Sequence, residues 1–150
     1  EASPDQAAQR ERFRQAVAYG RFVMVDAETR EIYEQASERK GVPVFALTVA
    51  DFLNAPSIDL LDLSAYGGQV GSLVKIITSD DFGVMNVHIA ITEEQGAPIE
   101  SGDAVETPSG TGHWVYTAQT AVPTGTMIVV HVTATDRPGG MVTITNGKTL

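Results

Sequence analysis

Apolar residues recur in two rhythms along this chain, and the rhythm changes near residue 57. Before that point the spacing is helical. Phe13, Ala16 and Val17 make an apolar stripe on a first helix that Asp5 caps, that runs to about residue 19 and that Gly20 ends. Residues 21–25, with Phe22, Val23 and Val25, read as a short strand or a helical link. Asp26 caps a second helix reaching Lys40, with Ile32, Tyr33 and Ala36 on one side and Gly41 at its stop. Pro43 breaks the chain. Thr48, with Asp51 three residues on, opens a short third helix that holds Val49, Phe52 and Leu53, and Pro56 stops it.

From Ile58 the period is two. Strands are expected at 58–63, 73–79, 84–92, 98–104, 113–119, 126–135 and 141–145, separated by Gly, Pro and Asp turns. Val74 and Ile76 face inward, as do Val87, Ile89 and Ile91, then Trp114, Tyr116 and Ala118, then Ile128, Val130, Val132 and Ala134. Seven short strands at even spacing are the pattern of an antiparallel sandwich, not of a parallel βαβ sheet. The expected fold class is α+β: a helical segment over 1–56 packed on an immunoglobulin-like β-sandwich over 57–150. Trp114, Tyr116, Val87, Ile89, Val130 and Val132 should be central core.

Charge follows the same division. Residues 1–40 hold seven Lys/Arg and eight Asp/Glu, whereas 41–150 hold three and eleven, and the whole chain is at −9. That balance argues against nucleic-acid or anionic-membrane binding. The chain has no cysteine, which removes disulfides, thiolate metal sites and cysteine nucleophiles. A hydrophobic content of 43% argues against disorder. No run approaches the roughly 18 apolar residues of a membrane helix. Glu1 in place of an initiator Met, with no apolar signal core after it, implies a processed or trimmed start.

Two segments carry a resemblance. Thr78-Ser79-Asp80-Asp81-Phe82-Gly83-Val84, followed by alternating Val87, Ile89 and Ile91, resembles the second-to-third strand junction of bacterial immunoglobulin-like domains of the cadherin and fibronectin type. Val132-Thr133-Ala134-Thr135-Asp136-Arg137-Pro138-Gly139-Gly140 resembles their closing motif, and Trp114-Val115-Tyr116-Thr117 stands where they have an aromatic strand. The resemblance covers about 58–145. Gly140 departs from it, standing where many relatives have Asn. The resemblance implies a module of a secreted or cell-surface bacterial protein, acting as spacer, adhesive unit or sugar binder.

With immunoglobulin-like topology, Asp80, Asp81 and Asp136 meet at one pole, with Asp59 and Asp62 nearby. Calcium takes six to eight oxygen ligands from adjustable loops, and cadherin-like sandwiches bind it between domains. No D-x-D-x-D-G run is present, and aspartates also cap turns through their own backbone. Asp136 could instead pair with Arg137. His88 and His131 share the outward parity of neighbouring strands and could hold zinc with a carboxylate or His113. There is no G-x-S-x-G elbow, and 67–71 lacks the Lys-Ser/Thr of a phosphate loop. Glu28, Glu31, Glu34 and Glu38 are a solvated helix face. Residues 31–54 have the outline of a helix-turn-helix, but the second helix offers only Thr48, Asp51 and Asn54 as polar contacts.

The expectation is therefore a non-enzymatic binding or structural module with a protein or carbohydrate partner, no resident cofactor unless calcium, and no catalytic residues. The alternatives are a self-assembling surface or virion-like subunit and a metal-dependent enzyme using the acidic pole. Arg10, Arg12, Arg14 and Arg21, opposite in sign to the β part, would dock the helix first onto the chain's own acidic sandwich, or else onto the next subunit. Monomer and homo-oligomer both remain open.

Overall fold

The first helix starts earlier and ends later than its spacing suggests. In the computed structural model, which describes residues 1–80 and 82–150, α1 spans Pro4–Val25. Ser3, not Asp5, is its cap: the Ser3 hydroxyl accepts from the Gln6 amide at 3.2 Å, and the Gln6 side chain accepts from the Ser3 amide at 3.0 Å. Two backbone donors are satisfied at once, and Pro4 supplies a pre-set φ in the first turn. Gly20 does not end the helix. It lies buried within it, where a Cβ would sit 2.7 Å from Phe45 Cε2 and 2.7 Å from Thr48 Oγ1. Its missing side chain lets the third helix approach.

α2 spans Ala27–Lys40, capped by Asp26 as expected, with Oδ2 accepting from the Thr29 amide at 3.2 Å, and closed by Gly41. α3 spans Val44–Leu53 and begins at Pro43, without a side-chain cap. Thr48 and Asp51 are therefore not its start but lie buried inside it. Thr48 Oγ1 donates to the Phe45 carbonyl at 2.6 Å, and Asp51 Oδ2 accepts from Tyr33 Oη at 2.5 Å. Tyr33 Oη also bonds Tyr19 Oη at 2.7 Å. Burial above all, then the Asp51 and Tyr19 hydrogen bonds, pushes the Tyr33 phenol far up. Glu1–Asn54 forms one compact unit around these contacts.

Ala55–Leu150 forms the second unit. Its strands are β1 (Ser57–Asp62), β2 (Leu73–Ser79), β3 (Val84–Glu93), β4 (Pro98–Asp103), β5 (Val105–Glu106), β6 (His113–Thr117), β7 (Met127–Asp136) and β8 (Met141–Thr149). They make two antiparallel four-stranded sheets, β1-β2-β6-β5 and β4-β3-β7-β8. The fold class is thus α+β with a β-sandwich, at three helices and eight strands among the described residues. The eighth strand, β5, is two residues long and carries no alternation that could announce it.

The expected core is the observed core. Val87, Ile89, Val130 and Val132 are fully buried, and Trp114 and Tyr116 nearly so. Alternation works here because each strand has one wet face, so burial follows parity. Polar ties cross between the sheets. Tyr116 Oη donates to Glu100 Oε2 at 2.6 Å, and the same carboxylate accepts from the Gln119 and Thr120 amides. Lys148 Nζ donates to the Leu63 and Tyr66 carbonyls at 2.9 and 2.8 Å, joining β8 to the β1–β2 connection.

Candidate functional site

Strand pairing builds one pole of the sandwich. Val84 pairs with Asp136, which sets the β2–β3 loop beside the β7–β8 turn. Ser57 pairs with Ser79, so the chain enters β1 at the same end. The Thr78 amide donates to the Gly112 carbonyl at 2.8 Å, which brings in the β5–β6 loop as well. Gly112 has φ +78, and a Cβ there would lie 2.4 Å from the Thr78 carbonyl oxygen, so only glycine fits the crossing.

Two of the three expected aspartates meet at this pole. A carboxylate oxygen of Asp80 and one of Asp136 lie within 4.8 Å. Asp81 lies outside the described residues. Asp136 ends β7 on its inward parity and is 3% exposed. Its Oδ1 accepts from the Gly140 amide at 2.6 Å, the turn-capping arrangement. Its Oδ2 is buried with no hydrogen-bond partner among the described residues. Burial pushes the carboxyl up, opposed by the amides of Gly140 and Gly139. Gly140 also has a spatial reason, because a Cβ there would stand 3.0 Å from both Asp136 oxygens. Arg137 does not turn to Asp136; its guanidinium reaches the Met85 sulfur at 3.2 Å.

The other carboxylates separate. Asp59 Oδ1 accepts from the Ser57 and Ser79 hydroxyls at 2.8 and 3.2 Å. Asp62 sits at the far end of β1, opposite Lys75, and caps the Ser64 amide at 2.9 Å, so it is not part of the pole. The Ser64 hydroxyl first, then its amide, and the Lys75 and Lys148 charges less, hold its carboxyl below the usual range.

Beside Asp80 the pole opens into a cleft of about 420 Å³, walled by 78–80, Phe82–Met85, Glu106 and 109–112. Glu106 organises its rim: Oε1 accepts from the Gly110 amide at 2.8 Å and Oε2 from the Gly112 amide at 3.0 Å. The sequence reading missed this wall. The one available signal was Glu106 ahead of two nearby glycines, and a carboxylate gathering backbone amides leaves no periodicity.

The histidines do not assemble. His88 and His131 face outward on adjacent β3 and β7, but the register sets His88 opposite Thr133 and His131 opposite Ala90. The two rings are offset by two residues. His88 Nδ1 bonds Asp103 Oδ1 at 3.0 Å, and His131 Nε2 bonds Thr92 Oγ1 at 3.1 Å. His113 belongs to β6 in the other sheet. Hydrogen bonds from His88 first, then Asn86, hold the exposed Asp103 carboxyl below the usual range.

No helix among the described residues is long and apolar enough to cross a membrane. No protein-family model matches the sequence, and no curated protein does. Among solved structures, the crystal structure of CopC from Methylosinus trichosporium OB3b is similar at 20% identity, over 61% of this chain and 89% of that one, with a TM-score of 0.47.

Proposed function

We propose that this chain is a non-enzymatic binding or structural module that takes its ligand at the loop pole of the sandwich. The cleft of about 420 Å³ between 78–80 with Phe82–Met85 and Glu106 with 109–112 carries the reading. Its walls come from separate loops held on paired strands, the arrangement in which a rigid scaffold presents variable recognition surface. The strand order supports kinship with immunoglobulin-like domains: β1-β2-β6-β5 corresponds to A-B-E-D, and β3-β7-β8 to C-F-G with β4 added beside it. The secreted or cell-surface setting and a protein or carbohydrate partner are taken from that kinship, as an analogy of fold. A non-enzymatic role is supported by the bonding at the pole: Asp59 serves hydroxyls, Glu106 and Asp136 serve backbone amides, and His88 and His131 bond elsewhere.

A second reading adds a calcium-class cation at Asp80 and Asp136. It is favoured by the buried Asp136 Oδ2, an oxygen without a hydrogen-bond donor within 4.8 Å of a second carboxylate.

Thermal unfolding with calcium, with zinc, with chelator and with a panel of soluble oligosaccharides tests both. A ligand of the folded state at a hundred times its dissociation constant adds about 2.7 kcal/mol, a shift of several degrees. The binding reading expects such a shift from one probe, lost on filling the cleft with Ser109→Trp. The cation reading expects it from calcium, lost in Asp136→Asn, which keeps the acceptor for Gly140 and removes the charge. If calcium does nothing, Asp136→Asn should instead raise the midpoint by relieving a buried charge. No shift from any probe overturns the cation reading and the carbohydrate form of the binding reading.

A further inference from the structure

The helical unit carries two stripes that its own packing leaves unused, and they match each other. On α1 the small stripe of Ala16, Gly20 and Val23 is buried. The stripe next to it is large and exposed. Phe13, at 55% exposure, and the half-buried Val17 form the floor of a shallow groove of about 820 Å³, with Arg10, Arg14 and Arg21 as its rim, Arg14 being shared with Glu11 of the same helix at 2.5 Å. α1 holds four arginines against Asp5 and Glu11, which makes it a cationic element in a chain at −9. Arg12 is not in the rim; it donates to the Leu53 carbonyl at 2.7 Å.

α2 has the opposite character. Glu28, Glu31 and Glu38 are exposed on it, beside Ile32 at 41% exposure, with Arg39 at the C-terminal edge. Glu34 is already engaged with Arg30 at 2.6 Å. At 1.5 Å rise per residue the arginine rim from 10 to 21 is about 16 Å long, and the glutamate row from 28 to 38 about 15 Å. Length, charge and an apolar residue in the middle all correspond. Pairing α1 with another α1 would set arginine against arginine.

We infer that the α1 stripe is an interface for a second copy of this chain, received by the α2 stripe of that copy. Because one chain owns both halves, a two-fold axis satisfies both at once: α1 on the partner's α2, and the partner's α1 on α2. That is the isologous arrangement most homodimers use. It covers an arginine-rimmed aromatic patch of the kind enriched at interfaces. The inference does not depend on what the loop pole binds.

Sedimentation equilibrium of the full chain, from micromolar to submillimolar, is the test. One variant carries Arg10→Glu, Arg14→Glu and Arg21→Glu; another carries Glu28→Arg, Glu31→Arg and Glu38→Arg. The wild type should have dimer mass that weakens with added salt. Each triple variant alone should dissociate at least about a hundredfold more readily, since like charges now face each other. Mixed in equal amounts, the two should regain dimer mass, because each supplies the charge the other lost. Phe13→Gln, at an exposed site that leaves folding intact, should weaken association about tenfold. Circular dichroism confirms that each variant is helical. A wild type that stays monomeric throughout overturns the inference. So do folded triple variants that keep wild-type mass, and folded variants that fail to combine.

Discussion

The helical unit and the sandwich differ in where their large apolar side chains go. In the sandwich the rings and isoleucines go inside, with Ile76, Ile89, Ile91, Ile128, Trp114 and Tyr116 filling the space between the sheets, and what stays exposed is aliphatic or methionine, such as Leu60, Val105 and Met141. In the helical unit the contacts between helices mix sizes: Val23, Tyr33 and Leu47 are buried, Tyr19 meets the Tyr33 and Phe52 rings, and small residues and a hydrogen-bonded chain do the rest. Ala16, Gly20 and Ala36 are buried, and Tyr19, Tyr33 and Asp51 are linked by hydrogen bonds, while Phe13 and Phe22 stay more than half exposed. Small residues permit close helix approach but bury little area, so this unit gains less from dehydration per contact. The lesson is that apolar surface left over after folding marks where an element meets something else.

Three perturbations break or sharpen that contrast. The largest effect should come from the sandwich. Trp114→Ala deletes a core ring and removes the indole N–H that donates to the Thr78 hydroxyl at 3.0 Å; about 3–5 kcal/mol is expected, read by urea unfolding. The second is alkaline. Burial first, then the Glu100 hydrogen bond, pushes the Tyr116 phenol up to about 12. Above the ordinary value near 10 the unfolded chain loses this proton and the folded chain keeps it, so the stability Tyr116 contributes falls as pH rises from about 10 to about 12, by about 2–3 kcal/mol, and the buried Tyr66 phenol adds in the same direction. Glu100→Gln should narrow that window in a pH series of unfolding curves. The third contrasts two positions on one helix. Gly20→Val forces atoms against Phe45 and Thr48 and should cost the helical unit about 1–3 kcal/mol. Phe13→Ala, though it removes far more side chain, should change the monomer's stability by less than about 0.5 kcal/mol. Hydrogen exchange of the α1 amides separates the two.

The strands were legible because parity maps onto burial one residue at a time. Val87, Ile89 and Ile91 need no partner to be read as inward. Helix limits were less so, because residue types with two uses look alike in a string. Ser3 and Asp5 are both good caps, and the pairing of Ser3 with Gln6 decides between them. Gly20 could stop a helix or admit a neighbour, and only the neighbour tells. Thr48 and Asp51 have the look of a helix start but are satisfied inside α3 by Phe45 and Tyr33. At the pole, topology sufficed to bring Asp80 to Asp136. The wall from Glu106 to Gly112 was hidden because its order comes from backbone amides. The histidine pair failed on register, which parity does not carry: the rings share a side and miss by two residues.

One residue joins the first two helices. The Asp26 amide donates to the carbonyls of Phe22 and Val23, closing α1, while its side chain opens α2. A corner with no slack acts as a phase lock. Each residue added there would turn the acidic row about 100° away from the basic one. Evolution could therefore vary the residues of either row in small steps, but it could change the length of this corner only by abandoning the geometry both rows share.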